Sequence, residues 1–186
     1  MELEQNTPVS SPENVITAVK PTSEINEQFN QECLEEHNRL RALHGCPPLE
    51  LDRNLAAKAQ EHTEVMALKN QMHHRLSPNH GENLSMREGN IPTVITGKQA
   101  TLRWYSEVQR FHYGEERQSM SGNFSQIIWK SSTHAGFGLT TKNGGCNIFI
   151  AAYYRPSGNV SGHFTENVPR PLNGVDYLPS NKEMGW

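Results

Sequence analysis

Ala135-Gly-Phe-Gly-Leu-Thr-Thr-Lys-Asn-Gly-Gly-Cys-Asn-Ile-Phe-Ile-Ala-Ala-Tyr-Tyr154 reads as two strands about a turn. Lys142-Asn143-Gly144-Gly145 carries Asn-Gly, the strongest short hairpin signal, between Ala135–Thr141 and Cys146–Tyr154. The second run is long and largely apolar rather than alternating. A strand of that kind is covered on both faces, so it belongs in the middle of its sheet.

What covers it is legible upstream. Phe29, Cys33, His37 and Leu40 step by 4, 4 and 3, one face of a helix that ends at Gly45 before Pro47-Pro48. Asp52 stands as N-cap ahead of Leu55, Ala56, Ala59, Thr63 and Met66. Thr96 and Gln99 form a capping box, opening a helix with Ala100, Trp104, Val108 and Phe111 on one side. Ser121 is placed to cap a short helix whose inner face is Phe124, Ile127 and Ile128. Helices first and hairpin last predict an α+β fold. Residues 1–26, with Pro8, Pro12 and Pro21 among polar residues, are expected to form a disordered arm. Residues 27–168 then form the domain. The tail 169–186, with Pro171, Gly174 and Pro179, reads like the arm, although Trp186 is a candidate to dock.

Composition excludes several classes. A net charge of −3 and a pI near 6.3 give no field for nucleic acid. No apolar run approaches the roughly 20 residues that cross a bilayer. The start, Met1-Glu2-Leu3-Glu4-Gln5, is acidic, so no secretory signal is expected, and Glu2 rules out N-myristoylation. Three scattered cysteines without CxxC spacing suit a reducing compartment. The sequons at Asn83, Asn123 and Asn159 are then chance matches. An intracellular protein, cytoplasmic or peripheral to a membrane, is expected, with export lacking a signal peptide as the other route.

Some polar residues fall in unexpected places. Glu107 follows Trp104 by three and points with the apolar face, so it is paired, protonated, open to a wet cavity, or an edge residue reaching solvent. Glu82-Asn83 follows a stretch holding His73, His74 and His80, which either supports metal or proton chemistry or is simply solvated. Asn123 precedes Ile127 by four and turns inward, as a helix-start residue also would. No GxSxG elbow is present, and Ser85 is off-face from Glu82.

Together these segments resemble the CAP family (SCP/TAPS: cysteine-rich secretory, antigen 5 and pathogenesis-related 1 proteins, venom allergen-like). Gly81-Glu82-Asn83-Leu84 looks like its GENL element. Arg103-Trp104-Tyr105-Ser106-Glu107 is similar to the helix carrying its second glutamate. Gly122-Asn123-Phe124-Ser125-Gln126-Ile127-Ile128-Trp129 resembles G-H-F-[ST]-Q-x-x-W, and Ala152 to Val160 resembles C-x-Y-x-P-x-G-N. His37-Asn38-Arg39-Leu40-Arg41 is like H-N-x-x-R. Lacking a disulfide framework, the chain is closest to the Golgi-associated plant pathogenesis-related branch.

The resemblance implies an α-β-α sandwich, with helices on both faces of a mainly antiparallel sheet. It also implies a cleft whose tetrad falls on His74 (or His73), Glu82, Glu107 and Asn123. A histidine is usual where Asn123 stands. His74, Glu82 and Glu107 are weak metal candidates, since an amide oxygen replaces imidazole poorly toward zinc. Zinc is expected to be weak or absent, and another divalent cation is an equal candidate. The resemblance further implies a lipid (sterol or fatty acid) or protein partner, and a possible homodimer. Arg110, Phe111, His112, Tyr113 and Arg117 form the candidate loop, with the aromatics lining an apolar pocket. A non-catalytic binding module is expected; the alternative is a metal-assisted hydrolase using His74, Glu82 and Glu107.

Overall fold

The computed structural model describes residues 26–75 and 79–186. The arm expected over 1–26 lies, but for Asn26, outside the described residues. Asn26 itself caps helix α1 (Glu27–Leu43), accepting from Phe29 N. Phe29, Cys33, His37 and Leu40 are buried, as their spacing requires. Gly45 takes the positive φ that ends the helix. Asp52 accepts from Asn54 N and Leu55 N and so starts α2 (Arg53–Lys69). The Thr96–Gln99 capping box opens α3 (Gly97–Tyr105).

Two local expectations need correction. The third helix does not run on to Phe111: after Tyr105 it tightens into a 3-10 turn, Ser106–Arg110, and Phe111 is extended. Ser106 Oγ donates back to Arg103 O at 2.7 Å, a side-chain bond that competes with helical continuation. Ser121 precedes α4 (Gly122–Ile128) without capping it, and its buried hydroxyl has no partner among the described residues.

Four strands form one sheet: β1 (Glu50–Leu51), β2 (Gly81–Arg87), β3 (His134–Lys142) and β4 (Asn147–Arg155), in the order β1-β3-β4-β2. Only the short β1–β3 contact is parallel. β4 is central and buried from Asn147 to Tyr154, which explains its unbroken apolar run. Phe149, Ala151 and Tyr153 face α2, through Leu55, Ala59 and Met66. Ile148, Ile150, Ala152 and Tyr154 face α1, α3 and α4. Gly136 and Gly138 lack side chains because the backbone of α2 lies directly on them, at Ala56 and Ala59. The result is an α-β-α sandwich.

One buried charge ties the layers together. Arg41 of α1 is fully buried and donates to Pro47 O, Ile127 O, Trp129 O, Lys130 O and Ser132 O at 2.7–3.4 Å. Carbonyl oxygens rather than a carboxylate disperse its charge.

The tail does not behave like a disordered segment. Leu172 N donates to Leu43 O, and Tyr177 lies under the Arg39 guanidinium. Two short helices, α5 (Phe164–Asn167) and α6 (Asn181–Met184), flank this strap. Met184 is buried, and Arg103 stacks on Trp186 at 4.0 Å while donating to Met184 O. The strap docks through single anchors, so its sequence shows no period.

Candidate functional site: two carboxylates beside one strand end

Glu82 and Asn83 are consecutive on β2, and alternation sends their side chains to opposite sides. Glu82 registers with Tyr153 and faces α2; Asn83 registers with Ala152 and faces α4. His74 Nδ1 lies 2.8 Å from Glu82 Oε2, and Arg75 N donates to Oε1 at 3.1 Å. The carboxylate is largely enclosed, whereas the His74 side chain is 66% exposed. Behind them His62 is completely buried. Its Nε2 donates to His73 O at 2.9 Å, which leaves Nδ1 to accept from the Tyr153 hydroxyl at 2.8 Å. Burial lowers the His62 pKa and raises that of Tyr153, with the Glu82 charge adding to the rise. The His80 ring stacks on Tyr153 at 4.1 Å.

On the other side of β2, Glu107 is fully engaged. Its Oε2 accepts from Asn123 N at 2.9 Å and Phe124 N at 3.4 Å, and its Oε1 accepts from Asn123 Nδ2 at 2.7 Å. The carboxylate thus satisfies the first amides of α4, which Ser121 leaves uncapped. Asn83 Nδ2 donates to Asn123 O at 3.0 Å and to the Tyr154 hydroxyl at 3.1 Å. Tyr154 in turn meets His37 Nε2 at 2.8 Å, and His37 Nδ1 donates to Cys33 O. Full burial takes the His37 pKa from 6.5 down to about 3. The Asn83 carboxamide oxygen is buried and has no partner among the described residues.

The structure therefore pairs His74 with Glu82 and Glu107 with Asn123. Among the described residues, Asn83, next to Glu82 in sequence, reaches Asn123 and so runs between the two pairs. His73 contributes its carbonyl to His62, so His74 is the residue that meets Glu82. Among the described residues, no three His, Cys, Asp or Glu side chains are arranged to hold a metal ion. Sequence reasoning missed His62 and Tyr153. His62 stands between Ala59 and Met66 at helical spacing, which marks it as an inward-facing polar residue.

The candidate loop divides in two. Arg110, His112 and Arg117 are exposed, but Phe111 is a core residue stacked on Tyr113, Phe124 and Phe164. Tyr113 is half-buried and donates to Asp176 Oδ1 at 2.8 Å. The aromatics expected to line a pocket are anchors instead. A groove of about 450 Å³ opens beside them, with Arg117, Met120 and Phe164 in its walls. Met120 is 74% exposed there. Glu116, also in the groove, is committed to Phe164 N and Thr165 N. The cysteines are free, with Cys33 and Cys46 buried. Asn83 is buried, Asn123 holds Glu107, and Asn159 donates to Gly122 O, so no sequon amide is idle.

Comparison with known proteins follows the same lines. The model of the CAP, or cysteine-rich secretory protein, family matches residues 34–154. Human Golgi-associated plant pathogenesis-related protein 1 is 35% identical over 150 residues, covering 77% of this chain and 94% of that protein. The structure of BmVAL-1 superposes with a TM-score of 0.63 at 18% identity, over 76% of this chain and 82% of that one. NaASP2 with Zn2+ gives 0.60 at 18% identity, over 79% and 87%. No helix of the described residues is long and apolar enough to cross a membrane.

Proposed function

We propose, on the premise that this chain belongs to the CAP (cysteine-rich secretory protein) family, that it is a non-catalytic binding module. The observation that carries this reading is the closure of Glu107 by three N–H donors. A metal-assisted hydrolase built on His74, Glu82 and Glu107 needs that carboxylate free, as ligand or base. Here its oxygens already hold the start of α4. Zinc fits the donor set poorly for the same reason, since Asn123 offers no imidazole and its amide is turned to Glu107. We read zinc as weakly held or not held, with no step of the protein's action passing through it.

The ligand this reading favours is a lipid, taken in the groove between the 111–120 loop and Phe164. Met120 and Phe164 supply apolar walls, and Arg117 is a cation at the rim for a fatty-acid carboxylate. Glu116 in the same groove is turned to the amides of Phe164 and Thr165, which hold it as a carboxylate. The free cysteines, and the Golgi association named for the human relative, support an intracellular and peripheral location.

A displacement assay with a fluorescent fatty acid and a fluorescent sterol tests the groove. Saturable binding is expected, weakened at least about tenfold by Met120→Glu. No saturable binding of either class, or a Met120→Glu protein that binds like the parent, overturns the lipid reading and leaves a protein partner as the occupant. Phe111→Ala is a poor probe, because it opens the core.

A further inference from the structure

The strap after Pro169 roofs a second cavity, of about 320 Å³, set between α1 and the end of α3 and apart from both carboxylate pairs. Its volume is at the small end of ligand pockets. Tyr105 forms the floor, wholly buried, its hydroxyl 2.8 Å from His44 Nε2. The Tyr177 ring stands 6.0 Å away, and Leu43 and Val175 complete an apolar wall.

Two opposite charges share this small space. Arg39 donates through Nε and Nη2 to Glu36, which fixes the guanidinium, and its carbon lies 4.9 Å from the centre of the Tyr177 ring. Asp176 accepts the Tyr113 hydroxyl on Oδ1, which fixes the carboxylate. Both charges reach the floor: after burial, Asp176 is the main influence raising the Tyr105 pKa, and Arg39 opposes it.

The geometry points to a binding site for a free α-amino acid with an aromatic or aliphatic side chain. Its carboxylate meets the Arg39 guanidinium, its ammonium meets the Asp176 carboxylate, and its side chain packs on Tyr105, Leu43 and Val175. A residue within a peptide lacks both charges, and either peptide terminus lacks one. A fatty acid has no group for Asp176. Opposite charges lining one small cavity beside an apolar wall therefore select a zwitterion.

Calorimetric titration of the full chain with L-phenylalanine tests this, with phenethylamine and 3-phenylpropanoate as ligands that each lack one charge. One phenylalanine per chain is expected, and each half-ligand weaker by about tenfold or more. Asp176→Asn keeps an oxygen for Tyr113 and should weaken phenylalanine by a similar factor while sparing 3-phenylpropanoate. Val175→Trp should block all three by filling the mouth. The proposal is overturned if neither L-phenylalanine nor L-leucine binds saturably at millimolar concentration. It is equally overturned if both variants bind phenylalanine as the parent does, or if its amide shifts fall on Glu107 and Asn123 rather than on Tyr105 and Tyr177.

Discussion

Glu82 and Glu107 flank the start of the same strand, yet one stands behind an exposed histidine and the other is sealed into a helix start. The difference lies in what donates to each. Glu82 meets one backbone amide and the exposed His74, with the buried His62 ring 3.7 Å behind it. Among the described residues, Glu107 meets the amides of Asn123 and Phe124. A carboxylate whose donors belong to a helix's first turn is structural; one whose nearest donor is a solvent-facing imidazole can still exchange partners. The fold thus contains half of an open site and half of a closed one.

Acid is expected to break the closed half most strongly. His37, reached from Glu107 through Asn123, Asn83 and Tyr154, is held neutral in the fold with a pKa of about 3. The unfolded chain takes up a proton below its ordinary 6.5, so it binds more protons than the native state across that window. Stability accordingly rises with pH between about 3 and 6.5, and acid removes on the order of 1.4 kcal/mol per pH unit from this site. His62, on the open side, is shifted in the same direction, chiefly by burial. Denaturant midpoints compared at about pH 4 and about pH 7 should differ by on the order of 3 kcal/mol. A flat profile would contradict a neutral His37.

Truncating the two carboxylates sharpens the contrast. Glu107→Ala strands three donors at the start of α4 and should cost about 2–3 kcal/mol, or roughly 4–12 °C in thermal midpoint. Glu82→Ala, with His74 solvent-exposed and one backbone amide bond lost, should cost about 1 kcal/mol. Equal losses would mean that both carboxylates are structural. The smallest effect on stability belongs to Asn123→His, which keeps the backbone bonds to Glu107 and gives up one amide contact, about 1 kcal/mol or less. That change gives the closed half a histidine–glutamate pair of its own, and zinc affinity should rise. One tightly held zinc per chain in the parent protein, measured by elemental analysis, would sink this account of Asn123.

Much of the scaffold was legible because it depends on local rules. Asp52 and the Thr96–Gln99 box are caps readable from residue type and spacing, and the long run Cys146–Tyr154 announced a central strand. Glu107 was legible as an anomaly, since periodicity reports the face on which a residue lies. It does not report the partner, and Asn123 comes from a different element. Ser121 has a cap's identity without its bond, because Glu107 had already taken those amides. The strap escaped for another reason: Leu172, Tyr177 and Met184 are anchors with no common period. His62 was readable in principle, being inward on α2 among alanines and methionine.

Arg41 has a consequence for how this chain comes apart. Its guanidinium reaches carbonyls across 86 to 91 residues of sequence, from α1 to the turn at 127–132. Loosening either side alone would leave a full positive charge sealed from water with part of its shell missing. Partial opening there is therefore strongly disfavoured, and the first helix and the distant turn belong to one cooperative unit that opens late and all at once.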